Sequence, residues 1–199
     1  VLATALVWIE WGTWDKGLFH LRHVTGPDEY NVLVHDNCYT NLMAQHHLLF
    51  AADLAKQLRS SYPDDWGQLQ LNYMLEDDDI DAMRNAAEKM CIPFDGTKKI
   101  HLQDESFLRK KEWTRQMKRA MSSQRSTMEE FHPLTIYRHR VCKQADVLLS
   151  QVLLGHRFTR DEKLKNFDFY ERITTHDSSL SSLTFRIMAA EFGLCDKAY

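Results

Sequence analysis

Chain-breaking residues are scarce in these 199 residues, with seven glycines and four prolines. There is therefore little punctuation for a strand-and-turn architecture. No run of eighteen or more apolar residues occurs, so no transmembrane helix is expected. No block of one charge occurs either: the net charge is −3 and the basic residues are dispersed, which removes the footprint expected of a nucleic-acid or anionic-membrane binder. Cysteine is limited to Cys38, Cys91, Cys142 and Cys195, without a C-x-x-C pair or a dense framework, a usage that fits reduced thiols and a cytoplasmic setting. Glycine-rich phosphate loops, G-x-S-x-G elbows and nucleotide fingerprints are missing too, which takes the usual support from nucleotide-dependent and serine-hydrolase chemistry. His46 and His47 point to different helix faces, and His20 and His23 lack a third ligand at useful spacing. No structural metal is expected.

What is present is globular: 44% hydrophobic and 27% charged residues, enough for one sizeable core. Apolar residues recur at spacings of three and four, the period of helices. Leu42, Met43, Leu49, Ala52 and Leu58 predict a helix over about 39–58, ended by Ser60, Ser61 and Pro63. Another is expected over about 78–90, with Asp77, Asp78 and Asp79 where the helix dipole favours negative charge. Residues 91–107 lack helical period, hold Pro93 and Gly96, and predict an irregular connection with a short strand over about 99–102. The run 112–130 is polar nearly throughout and reads as a solvated surface excursion or a poorly ordered loop, with no chemistry assigned to it. His132-Pro133 predicts a helix over about 134–154 ended by Gly155, and a last helix is expected over about 178–192 with Gly193 as its cap. The expected class is all-α, a helical bundle or an α/α toroid. Val1 opens within a helical pattern and EFGLCDKAY stops just past a cap, so the chain reads as part of a longer one.

Three stretches could carry chemistry. In HVTGPDEYN, Gly26 and Pro27 stiffen a bend before Asp28 and Glu29, and Val24, Tyr30 and Val32 could desolvate Glu29 into a general acid. The same residues also suit a solvated turn. In YRHRVCKQADVLL, Lys143, Gln144 and Asp146 interrupt an apolar helical pattern. They either hold sugar hydroxyls or form a polar stripe. In THDSSLSSL, His176, Ser178 and Ser179 sit where a helix begins, which serves either an anion such as phosphate or plain capping.

Taken in order, these stretches resemble glycoside hydrolase family 65, the inverting phosphorylases of maltose, trehalose, kojibiose, nigerose and related disaccharides. VTGPDEYNVLVHDNCYTNLMA resembles the family's catalytic segment, which implies Glu29 as the general acid. FHPLTIYRHRVCKQADVLL resembles the segment whose Lys-Gln pair binds substrate, implying that role for Lys143 and Gln144. YERITTHDSSLSSL resembles the phosphate-holding segment, implying His176, Ser178 and Ser179. The resemblance covers nearly the whole chain and implies the later part of an incomplete (α/α)6 barrel, a six-hairpin toroid, over residues 1–199, without the family's N-terminal β-sandwich and C-terminal β domain. Asn31-Val32-Leu33 and Val34-His35-Asp36-Asn37 depart from the family's usual residues after the acid, so the acceptor side is expected to differ. The resemblance further implies phosphorolysis to β-glucose 1-phosphate, with inorganic phosphate as co-substrate, no cofactor, and a family habit that allows a homodimer of the intact parent. A water-using hydrolase of the same family and a non-catalytic helical fragment are the alternatives, and the 199 residues alone are expected to be inactive.

Overall fold

The structure, a computed structural model, describes residues 1–114, 117 and 126–198. It is mainly helical, as the part of an α/α barrel should be. The chain divides into two compact units, Val1–Arg22 with Thr40–Cys91, and His23–Tyr39 with Ile92–Tyr199. No helix among the described residues is long and apolar enough to cross a membrane.

In the first unit α1 (Leu2–Trp11) leads into a hairpin of β1 (Thr13–Asp15) and β2 (Leu18–His20). Lys16 and Gly17 turn the hairpin with positive φ. A Cβ at Gly12 would lie 1.9 Å from the Phe19 ring, so its absence is what lets Phe19 bury to 1% exposure. The long helix α2 (Cys38–Ser61) follows, its first two residues lying in the second unit. It buries Leu42, Ala44, Leu48, Ala51, Ala52 and Ala55, so Met43, Leu49 and Leu58 of the expected face are only partly covered. Pro63 does not simply end it: as the first residue of α3 (Pro63–Tyr73), where a missing N–H costs nothing, it starts a helix that periodicity did not reveal. In α4 (Asp77–Glu88) the Asp77–Asp79 acids fill the first turn, and Glu76 and Asp79 close a capping box.

The second unit begins with residues 24–34, pinched into a closed loop where Val24 and Val34 exchange backbone hydrogen bonds of 3.0 and 2.9 Å. A small hairpin of β3 (Phe94–Asp95) and β4 (Ile100–His101) realises the expected short strand. β5 (Lys111–Glu112) precedes the run whose positions 115, 116 and 118–125 lie outside the described residues, and α5 (Thr127–Glu130) follows it. The flanks of that run are not solvated as expected: Trp113 and Thr127 are buried.

The helix expected over 134–154 is instead broken into α6 (Pro133–Tyr137), β6 (His139–Arg140), a connecting loop and α7 (Asp146–Leu153). Long-range partners claim the backbone that helix would have used. β6 runs parallel to β5, the Cys142 N–H donates to the Ile173 carbonyl (3.0 Å), the Cys142 carbonyl accepts from Thr175 N–H (2.8 Å), and the Lys143 N–H donates to the Asp28 carboxylate. Gly155 opens a short 3-10 turn rather than capping a long helix. Next, α8 (Arg160–Glu171) starts at a Thr159–Glu162 capping box and buries Phe167 and Tyr170. α9 (Ser179–Phe192) buries Phe185, Met188, Ala189 and Phe192, ends at Gly193 with φ 72°, and is followed by α10 (Cys195–Ala198).

Candidate functional site

The second unit brings together all three stretches that carry the candidate residues. The 24–34 loop presents Glu29 outward, its side chain 63% exposed, while its neighbours on both sides are fully buried. The desolvation expected from Val24, Tyr30 and Val32 is therefore not what shapes Glu29, because the Tyr30 ring turns into a cluster with Trp113, Ile136 and Val141. What meets Glu29 is a cation: the Lys143 ammonium lies 2.5 Å from its carboxylate. Gln144 beside it is 8% exposed. Both residues sit in the loop before α7, not on the expected helix.

Beneath the bend is a buried polar network. Both carboxylate oxygens of Asp28 are engaged: Oδ1 accepts from the Tyr30 N–H (3.2 Å) and the Lys143 N–H (2.9 Å), and Oδ2 from the amides of Asn31 (2.6 Å) and Gln103 (2.9 Å). Asn31 also donates to the Val141 carbonyl (3.1 Å) and accepts from Lys110, whose ammonium pairs with buried Asp104 at 3.1 Å. Asp146, at the start of α7, accepts from the Asn37 amide at 3.1 Å. Gly26 lies against this pair, with a Cβ there falling 2.3 Å from the Asp146 carboxylate and 2.6 Å from Asn37 Oδ1.

Burial pushes the Asp28 carboxyl up, against its hydrogen bonds, and pushes Asp146 well up, with the Asp28 charge next in effect. Two buried carboxyls this strongly coupled do not both ionise easily. Asp28 has four donors arranged for an anion, whereas Asp146 has an oxygen without a hydrogen-bond partner in the structure. The proton therefore belongs with Asp146.

The third stretch enters through Tyr30. Its hydroxyl donates to Asp177 at 2.5 Å, and the same carboxylate oxygen accepts from the Thr127 N–H at 2.9 Å. Burial alone would raise the Asp177 carboxyl, but hydrogen bonds from Thr127 and Tyr30 outweigh it and hold the group below its ordinary value. His176, at φ 60°, sets its Nδ1 2.9 Å from the Ser181 hydroxyl and packs edge-on to Phe185. Desolvation lowers its pKa, so the ring is neutral at neutral pH. Ser178 is at the N-cap of α9, yet its side chain caps nothing, and Ser179 is the first helical residue. Plain capping is thus not the use of Ser178.

Sequence reading placed Asp28 no further than the bend, gave Tyr30 only a desolvating part and Asn31 only a departure from the family's residues, and assigned no role in the site to Gln103, Lys110, Asp177 or Ser181. Polar residues inside apolar or irregular stretches were the available signal, but nothing local says which of them meet.

The family model for the glycosyl hydrolase family 65 central catalytic domain matches residues 1–199. Among curated relatives, the alpha,alpha-trehalose phosphorylases of Geobacillus stearothermophilus and Thermoanaerobacter brockii are 41% and 42% identical over 100% and 98% of this chain. The chain spans 26% of the length of each. A solved structure described as a candidate kojibiose phosphorylase from human microbiome superposes with a TM-score of 0.85 at 26% identity, covering 98% of this chain and 26% of that one.

Proposed function

The chain belongs to glycosyl hydrolase family 65, and from that premise we propose that the whole protein phosphorolyses an α-linked glucose disaccharide with inversion, giving β-glucose 1-phosphate and the released sugar. In this reading the 199 residues are one part of the catalytic barrel domain and are inactive alone, the family's β-sandwich and C-terminal β domain lying outside them. The protein works in the cytoplasm, needs inorganic phosphate but no cofactor, and has a homodimer as its expected form. Both trehalose phosphorylases are more similar to this chain than the kojibiose structure is, so α,α-trehalose is the first substrate to test.

The observation that carries the reading is the ion pair of Glu29 and Lys143, residues 114 apart in sequence, on a loop braced from below by Asp28. Glu29 would give its proton to the glycosidic oxygen as the bond to the anomeric carbon breaks. A phosphate oxygen, held by His176, Ser178 and Ser179, would form the new bond from the opposite face. Phosphate brings its own nucleophilic oxygen, so a second carboxylate acting as base is not required. Glu29 can reach a glycosidic oxygen only once the Lys143 ammonium is drawn off its carboxylate. A bound glucosyl unit would do this by taking the Lys143 and Gln144 donors to its hydroxyls. A water-using hydrolase would need a free carboxylate at the anion position, and Asp177, doubly hydrogen-bonded and of lowered proton affinity, is a poor base.

The test is turnover of α,α-trehalose by the full-length protein with and without phosphate. Release of β-glucose 1-phosphate that requires phosphate is expected, and E29Q should lose about 10²–10⁴-fold in rate, the usual worth of a general acid, while still binding sugar. Equal turnover without phosphate would sink phosphorolysis in favour of hydrolysis, and an active E29Q would remove Glu29 as the acid.

A further inference from the structure

Glu29 is joined to the other two stretches through its two neighbours in sequence. Asp28 holds the backbone of Lys143, and Tyr30 holds Asp177, which lies between His176 and Ser178. An in-line displacement needs the acid and the incoming phosphate held on opposite faces of one sugar, where misplacement of about 1 Å costs orders of magnitude. A single hydrogen bond, from the residue after Glu29 to the residue before Ser178, connects those two halves directly.

We propose that Tyr30 and Asp177 form a positioning pair that sets the phosphate-holding residues relative to Glu29, so that Tyr30 acts on phosphate binding without touching phosphate. The inference rests on the phosphorolysis reading. The pair is built for the purpose: the Tyr30 ring is fully buried against Trp113, Ile136 and Val141, so its hydroxyl has little freedom. The Asp177 oxygen that receives it is also fixed by the Thr127 N–H. With its carboxylate engaged by Tyr30 and Thr127, Asp177 can stand inside an anion-holding segment without presenting a bare charge to the anion. His176 meanwhile is set in a left-handed backbone conformation that β-branched residues avoid, and its Nδ1 meets Ser181, so turning residue 177 turns His176 and Ser178 together.

Y30F in the full-length protein deletes the hydroxyl and keeps the buried ring. The expected result is a KM for phosphate raised about tenfold, equivalent to about 1.4 kcal/mol, with the KM for the disaccharide within about twofold. D177A separates positioning from charge. If Asp177 acted only through its charge, its removal would lower the phosphate KM, whereas a lost tie raises it. In the double variant Y30F/D177A the two effects should not add. Thermal unfolding of each variant is measured alongside. A lowered melting temperature with unchanged phosphate KM in Y30F overturns the proposal, as does a lowered or unchanged phosphate KM in D177A. If wild-type turnover proves independent of phosphate, the phosphorolysis reading falls and the pair's role in phosphate binding falls with it. Phosphate dependence with unaltered KM in both variants removes the pair alone.

Discussion

At Gly26 an added methyl group would sit 2.3 Å from the Asp146 carboxylate and 2.6 Å from Asn37. Both neighbours are fully buried and bonded to one another, so neither can swing aside as a surface side chain would. G26A is therefore expected to cost about 1–3 kcal/mol, the range for overpacking a close-fitted interior, and to shift the bend that carries Glu29. Urea denaturation checks the first part, and kcat of the folded fraction checks the second. Wild-type-like stability would mean that the loop relaxes and that Gly26 is there for another reason. Asp28 makes a contrasting case. D28N replaces an acceptor-only group by one with two N–H donors, which face the amides of Asn31 and Gln103 and leave like groups opposed. The remaining oxygen still accepts from the Lys143 N–H, so the opposed amides are what displace the bend, and a fall in kcat is expected as Glu29 moves with it.

Helices α2, α4 and α9 were legible because their apolar period, acidic first turns or glycine cap are local signals. The (α/α)6 expectation rests on resemblance rather than periodicity, and resemblance is also what chooses among the roles that local reading leaves open for the site residues. The 134–154 region shows why the rest was hidden: PLTIYRHRVCKQADVLLSQVLL has a helix-like apolar pattern, yet β5, Ile173, Thr175 and Asp28 take its central backbone groups, and every one of these partners lies at least 20 residues away in sequence. Tertiary hydrogen bonding outweighed propensity there. The same displacement put Lys143 within reach of Glu29, so the residues where local reading failed are the residues of the candidate site. Helix α8 was missed for a different reason, its apolar face being thin: Phe167 and Tyr170 are buried, but so are the polar Lys163 and Asn166. Its start is explicit, because the Thr159 hydroxyl accepts from the Glu162 N–H at 3.2 Å and Glu162 reaches back to the Thr159 N–H at 2.8 Å. T159A should cost the first turn of α8 about 1 kcal/mol. Hydrogen exchange reads this directly as faster exchange of the amides at 161–163, with later α8 amides unchanged.

For the molecule as a whole, the buried carboxylates beneath the bend tie stability to pH. Asp146 faces Asp28 and Asp104, with Lys110 the cation bound to Asp104, and the thiols of Cys38 and Cys142 and the Tyr170 phenol lie close enough that ionising Asp146 raises them further. Its folded-state proton affinity lies well above the unfolded value near 3.8, so between the two the native state holds a proton that the unfolded chain has lost. The sign follows: this contribution is complete below the unfolded value and is lost as pH rises through the folded one, at up to about 1.36 kcal/mol per pH unit for one proton. D146N keeps a neutral side chain of the same shape at every pH. Across denaturation midpoints measured from pH 4 to pH 8, wild type should lose more stability than D146N, and the two should converge at the acidic end. Parallel curves would mean that Asp146 takes up no extra proton in the native state, and the buried pair would then not be what ties stability to pH.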